Sequence, residues 1–223
     1  VNDSTIVGYR FSTGWANDQK VYFAIKSNTK FTKVDLYNDS TAVTGYQIAK
    51  GLGIKAILSI DPTKAVELKV GISPVSTVNA LENIAAEIPY WDFEKAKNQA
   101  KSKWNQALGK IDFKADDNTK TIFYTALYHS YFAPTVFSDV NGDYMGTDKQ
   151  VYNDKSHQNY TVFSLWDTYR ALHPLMTILE ETKSKDYVSS MLKIYQQQGK
   201  LPVWHLWANE TNTMVGLPAI PVI

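Results

Sequence analysis

The residues best suited to chemistry sit in one run near the end of the chain, "LPVWHLWANETNTMVG" (Leu201–Gly216). It places Trp204, His205, Trp207 and Glu210 within seven residues. A carboxylic acid that gives up a proton near neutral pH needs surroundings that penalise its anion, and indole walls provide them. A flat aromatic face also suits a pyranose ring. The same residues admit a plainer reading, in which Asn209 caps a helix and Glu210 occupies its first turn, where a carboxylate favours the dipole. On residue types alone both readings stand.

A second constellation is "SLWDTYRALHPL" (Ser164–Leu175). On a helix Trp166, Arg170 and His173 share a face, and Asp167 lies three residues from Arg170. Asp167 and Arg170 either form an intrahelical ion pair beside a core Trp166, or project into a polar cavity to hold sugar hydroxyls. A third is "SDVNGDYMGTD" (Ser138–Asp148), where Asp139, Asn141 and Asp143 suggest the start of a calcium loop. Gly142 comes too early and no Glu follows at the required distance, so an Asx-rich turn fits the spacing better. His129, His157, His173 and His205 show no zinc-ligand spacing. There is no G-x-S-x-G elbow and no phosphate-binding glycine pattern.

Composition narrows the classes. Among 223 residues there is no cysteine, which excludes disulfides, thiolate metal sites and Cys nucleophiles. Lys plus Arg (23) nearly balances Asp plus Glu (22), and no basic run carries interleaved aromatics, so nucleic acid is not an expected partner. No stretch has the apolar length of a membrane span, and no signal peptide opens the chain, which begins at Val1. Aromatic residues reach 13%, which suits a carbohydrate site and equally a β-sandwich core.

The elements that must position these residues change character along the chain. Alternation predicts strands over Gln19–Asn28, Thr32–Asp39, Ile54–Asp61 and Ala65–Ser73, the last with Val66, Leu68, Val70 and Ile72 on one face. Short strands at this spacing predict antiparallel sheet, part of a sandwich. Tyr90–Lys110 then reads as a connecting helix with Asp92 as N-cap, Gly109 as stop and an apolar stripe through Phe93, Ala96, Ala100, Trp104 and Ala107. Helices are expected over Asp117–Pro134, Phe163–Glu180 and Ser184–Pro202, the last with Tyr187, Val188, Met191, Leu192 and Tyr195 on one face. Ser138–Asn159 is a long loop with room for a short hairpin. The run "MVGLPAIPVI" would leave an apolar face unpaired, which predicts that more chain completes it.

Taken in order, "GYRFSTGWANDQKVYFAI" (Gly8–Ile25), "YTALYHSYFAPTVFSDVNGDY" (Tyr124–Tyr144), "FSLWDTYRALHPL" (Phe163–Leu175), "QQGKLPVW" (Gln197–Trp204) and "ETNTMVG" (Glu210–Gly216) resemble family 92 of the glycoside hydrolases. These are calcium-dependent, exo-acting α-mannosidases best represented in gut Bacteroidetes. The resemblance implies a β-sandwich (1–82), a helical linker (83–115) and the first helices of an (α/α)₆ toroid (116–223), with sugar bound between the domains. It implies hydrolysis of terminal α-mannosides, often α-1,2-linked, with inversion, in an exported protein of the periplasm or cell surface that degrades mannose-containing glycans. The family's acid falls on Glu210, and Trp166, Asp167 and Arg170 match a segment expected to line or brace the pocket, beside the apolar walls that Trp204 and Trp207 offer by residue type. Family members are several times longer. Their general-base aspartates and the calcium ligands are expected downstream, so this segment alone is expected to be inactive. Two other classes are a non-catalytic carbohydrate-binding sandwich using Trp15 and Tyr46, and a different (α/α)₆ glycosidase or phosphorylase.

Overall fold

A computed structural model describes residues 2–44 and 48–223; Tyr46 lies outside the described residues. Six strands come first: β1 (Thr5–Ser12), β2 (Gln19–Ser27), β3 (Lys33–Asn38), β4 (Thr41–Val43), β5 (Ile54–Ser59) and β6 (Leu68–Ser73). They form two antiparallel sheets, in the orders β1-β2-β6 and β4-β3-β5. Three helices follow, α1 (Thr77–Glu87), α2 (Phe93–Leu108) and α3 (Asp117–Ser130). Next come the short strands β7 (Thr135–Val136), β8 (Asp143–Met145), β9 (Val151–Asn153), β10 (Tyr160–Thr161) and β11 (Phe163–Ser164). The chain ends with α4 (Leu165–Thr168), α5 (Leu172–Leu179), α6 (Glu181–Gln198) and β12 (Trp204–His205). Sheet followed by helices is the order that the sequence patterning predicts.

Helix α1 is absent from the sequence reading, which has strand up to Ser73 and the next helix only after Pro89. Its signal is a side-chain cap: Ser76 Oγ accepts from Asn79 N at 3.1 Å. It docks on the first sheet through Ala24, Ala80 and Ile84, with Val7 and Leu81 packed against them. Gly71 makes this approach possible, because a Cβ there would lie 2.3 Å from the Ala80 carbonyl oxygen. The docking reverses the expected use of β6. Lys69, Gly71 and Ser73 face the helix and are buried, whereas Leu68, Val70 and Ile72 are 56%, 61% and 51% exposed. Lys69 tolerates this side by donating to the Ile88 carbonyl at 2.8 Å and lying over the Trp91 ring.

Helix α2 has the expected boundaries, with Asp92 accepting from Lys95 N and Gly109 at the stop. Its apolar stripe is not buried: Phe93 is 68% exposed, and only the Trp104 end packs, against Tyr128 and Tyr131. In α6 the buried face is Tyr187, Ser190, Met191 and Ile194, while Leu192 and Tyr195 turn outward. Ser190 earns its interior place by accepting from Tyr160 N at 3.0 Å.

The expected helix Phe163–Glu180 is broken into three pieces. Phe163 and Ser164 pair with β12 as β11, α4 is a single turn, and α5 begins only at Leu172. Pro174 explains the break, since it lacks an N–H and its ring would collide with the carbonyl of residue 170 in a continuous helix. The largest core gathers these pieces: Tyr160, Phe163, Leu165, Met176, Tyr187, Met191, Ile194 and Ala219. Ala219 belongs to a turn, not to a helix or strand, and Val222 packs beside it.

A buried carboxylate ties sheet, α1 and the β8–β9 hairpin together. Asp139, 5% exposed, accepts from Ser73 Oγ (2.7 Å), Asn79 Nδ2 (2.9 Å) and Asn83 Nδ2 (2.7 Å). Burial pushes its pKa up, against the pull of those three donors. Asp143 accepts from Asn79, Asn141 and Asn153, which hold its pKa below the usual carboxylate range. The Asx-rich turn is therefore a structural joint.

Two stability changes follow. Asp139→Ala strands three donors and should destabilise the protein by about 2–4 kcal/mol, read from urea unfolding; a change near zero would show that the joint carries no load. Gly71→Val should cost about 1–3 kcal/mol by forcing α1 off the sheet, and an unchanged unfolding midpoint would contradict the close approach.

Candidate functional site

Glu210 does not begin a helix. Leu206 and Asn209 exchange both backbone hydrogen bonds (2.7 and 2.9 Å), and His205 bridges Glu210. The two residues between, Trp207 and Ala208, both have positive φ, 48° and 59°. This is the pattern of a two-residue hairpin turn of the I′ kind, which normally uses Asn-Gly. Here it is Trp-Ala, so neither the turn nor the hairpin is advertised by its residues. Without a helix at Glu210 there is no dipole to set against its indole neighbours.

The hairpin returns the Glu210 side chain to its own first strand. Oε2 accepts from Val203 N (2.9 Å), and Oε1 accepts from Trp204 N and Asn212 N (both 3.1 Å). Three backbone donors thus fix a half-buried carboxylate. The indoles do not simply enclose it. The Trp204 ring meets Trp15 at 5.5 Å, and its Nε1 is buried without a partner among the described residues. Trp207 sits edge-on to Phe137 at 5.0 Å and donates from Nε1 to the Lys20 carbonyl at 2.6 Å.

The second constellation comes to the same place through the β11–β12 ladder, where Ser164 pairs with Trp204 and Phe163 with His205. Ser164 Oγ donates to Asp167 Oδ2 at 2.6 Å. Asp167 makes no ion pair with Arg170 among the described residues. Arg170 instead lies over Trp166 (5.6 Å) and Tyr169 (5.1 Å). Trp166 is half-buried, and Asp167 and Arg170 are exposed. His173 leaves this face for the core beside Tyr187, and burial lowers its pKa to about 4.

Facing the hairpin is the β1–β2 loop. Asn209, 7% exposed, locks the two together: Asp18 N donates to its Oδ1 (3.1 Å), and its Nδ2 donates to the Asp18 carbonyl (3.0 Å). Lys149 Nζ donates to Asn209 Oδ1 (2.8 Å) and the Ala208 carbonyl (2.6 Å), and burial lowers its pKa. Between loop and hairpin lies a cleft of ≈ 280 Å³, lined by Ser12–Ala16, Gln19, Val162, Leu206 and Trp207. Of the site residues expected from sequence, only Trp207 lines it directly. Trp204 meets the lining residue Trp15, and Glu210 lies on the return strand of the hairpin that carries Trp207. Of the loop residues the sequence marks only Trp15, as a surface aromatic, and nothing in their spacing pairs Asp18 with Asn209, 191 positions away. Thr161, Val162 and Lys149 carry no motif, and Asn209, which reads in the sequence as a helix cap, instead ties the hairpin to the β1–β2 loop.

The resemblance places its calcium ligands downstream of this segment. Among the described residues no group of three or more His, Asp or Glu could hold a metal ion. The Asp139 and Asp143 oxygens are occupied by amide and hydroxyl donors, whereas calcium requires converging oxygens. Nor is any helix of the described residues long and apolar enough to cross a membrane.

His205 is 2% exposed, with Nδ1 at 3.1 Å from Thr161 Oγ1. Burial first, and the Lys149 charge second, lower its pKa from 6.5 to about 3. A depressed folded-state pKa means that the neutral ring is preferred, so its stability is complete above 6.5 and is lost as pH falls from 6.5 towards 3. His205→Gln should therefore flatten the fall in melting temperature between pH 7 and about pH 4, leaving the parts due to His173 and to the shifted carboxylates such as Asp143 and Glu180. An unaltered slope in calorimetry would contradict this.

The profile of the glycosyl hydrolase family 92 N-terminal domain matches residues 1–73, and that of the family 92 catalytic domain matches residues 79–223. Among solved structures, the family GH92 α-mannosidase BT3965 from Bacteroides thetaiotaomicron superposes with a TM-score of 0.93 at 36% identity, over 100% of this chain and 31% of its own. The same protein is also solved in complex with mannoimidazole. The inverting mannosidase BT2199 from the same species shares the fold, with a TM-score of 0.83 at 22% identity over 99% of this chain and 31% of its own. An uncharacterized secreted glycosidase of Arthroderma benhamiae is 27% identical over 165 residues, 72% of this chain and 20% of that protein. This chain thus spans less than a third of the length of these relatives. Matched by both domain profiles, in the order sheet then helices that its fold displays, the chain belongs to glycosyl hydrolase family 92.

Proposed function

We propose that the whole protein hydrolyses terminal α-linked mannose, α-1,2 linkages among them, with inversion, and that the cleft between the β1–β2 loop and the Trp207 hairpin belongs to its sugar site. The observation that carries this reading is the shared hairpin: Trp207, at its turn, lines the cleft, and Glu210, on its return strand, is fixed in place by three backbone N–H groups. The complex of the BT3965 enzyme with mannoimidazole supports mannose as the sugar.

Glu210 acts as general acid. Among the described residues its Oε2 accepts the Val203 N–H alone and so keeps a direction for the proton it delivers to the departing glycosidic oxygen. The C1–O bond breaks as water adds to the opposite face of the ring, its proton taken by a base carboxylate. That base lies C-terminal to this segment, as do the calcium ligands. Trp207 and Trp204 form the apolar side of the sugar site, and Asp167 and Arg170 hold sugar hydroxyls, with Trp166 bracing the guanidinium. The organisation is a sandwich part (1–82), a linker (83–115) and a toroid part (116–223), with α1 running across the first junction. Substrates are mannose-containing glycans, and the protein is exported.

In the whole protein Glu210→Gln should lower kcat on α-1,2-mannobiose by about 10²–10⁴-fold. It should spare much of the activity on an aryl mannoside whose leaving group needs no proton. Near-normal turnover of mannobiose would remove Glu210 from the acid's role.

A further inference from the structure

Two segments of the cleft wall adopt left-handed backbone without glycine. Val162 has φ 63°, and Trp207 and Ala208 have 48° and 59°. A β-branched residue in this region is an outlier, and each such residue costs on the order of 1–3 kcal/mol unless its surroundings over-determine it. Both segments converge on one side chain. Thr161, fully buried, immediately precedes Val162, and its Oγ1 accepts from Trp207 N at 2.8 Å.

We propose that Thr161 is a positioning residue whose hydroxyl pins Trp207 into the strained turn and so sets the indole as a wall of the cleft. The proposal rests on reading that cleft as the sugar site. Every polar group of Trp207 is held by a different partner: N by Thr161, the carbonyl by Asn209 Nδ2 (2.7 Å), and Nε1 by the Lys20 carbonyl. The last two are ordinary ties to backbone and amide. The first is directional, because the hydroxyl is itself fixed by His205. With its imidazole neutral and one Thr161 lone pair taken by Trp207 N, the hydroxyl hydrogen can point at Nδ1, 3.1 Å away. Thr161 is in turn fixed in backbone by pairing with Thr135. The turn thus has a rigid acceptor in place of the glycine that would make it unstrained. Left free, Trp-Ala would relax out of the left-handed region and carry the indole away from Ser12–Ala16.

The test is indole hydrogen exchange in the whole protein, with the Trp207 resonance assigned from Trp207→Phe. Thr161→Val, which keeps the shape and removes the hydroxyl, should speed exchange of the Trp207 indole N–H by about tenfold while leaving the other indoles unchanged. Thr161→Ser should restore protection. Should the valine variant fail to fold, Thr161→Ala is read in the same way. Unchanged Trp207 exchange overturns the proposal, and so does equal acceleration of all indoles, which signals mere destabilisation. Mannoimidazole binding by calorimetry separates the underlying reading: the valine variant should bind about tenfold more weakly and the serine variant normally. If the wild-type protein binds no mannoimidazole while the exchange result holds, the sugar site is elsewhere and the pin stands.

Discussion

The cleft depends on one amide. Asn209 is buried where the β1–β2 loop meets the Trp207–Ala208 turn, and it exchanges two hydrogen bonds with the backbone of Asp18. Its oxygen also takes the Lys149 ammonium, and its nitrogen reaches the Trp207 carbonyl. A buried amide with such partners leaves little choice of orientation, because any alternative strands donors and acceptors away from water. The contact joins residues 191 positions apart and, with the Trp207 Nε1 bond to the Lys20 carbonyl, holds the loop carrying Trp15 against the hairpin carrying Glu210.

The Asp139 joint fixes the same relation from the other side of the sheet. Ser73, Asn79 and Asn83 converge on it from β6 and α1, and the hairpin it anchors carries Lys149 towards the cleft. Two polar clusters thus hold the sheet against the later segments, each composed of groups that would be costly to leave unmatched. The Glu210 carboxylate, held by backbone N–H groups alone, is presented by a frame with few soft torsions. Such preorganisation fixes where the carboxyl group stands.

Much of this was readable from the chain and much was not, for physical reasons. Strands β2, β3, β5 and β6 declare themselves by alternation, and α2 by its cap and stop. Which face of β6 is buried did not, since Gly71 invites a helix onto the side that pattern marks as polar. Helix α1 was passed over because its face is small, Ala80 and Ile84. The Phe163–Glu180 periodicity promised one helix, and Pro174 outweighed it. Glu210 stands out in the sequence as a carboxylate beside two indoles, and its setting is a hairpin where a helix start was one of the two readings. A Trp-Ala turn violates the usual turn chemistry, so local rules point to a helix start where the chain forms a hairpin. Places where local rules fail in this way cluster around the cleft, at Val162, Trp207 and Ala208.

If the space between the β1–β2 loop and the Trp207 hairpin receives the sugar with Glu210 as its acid, a crystal structure of the whole protein with mannoimidazole will show it there. The account predicts the sugar ring in contact with the Ser12–Gln19 loop and Trp207, with the Glu210 carboxyl within about 3 Å of the ring nitrogen that stands for the departing oxygen. A ligand bound away from this cleft, or one whose nitrogen is met by a different carboxylate, would contradict it.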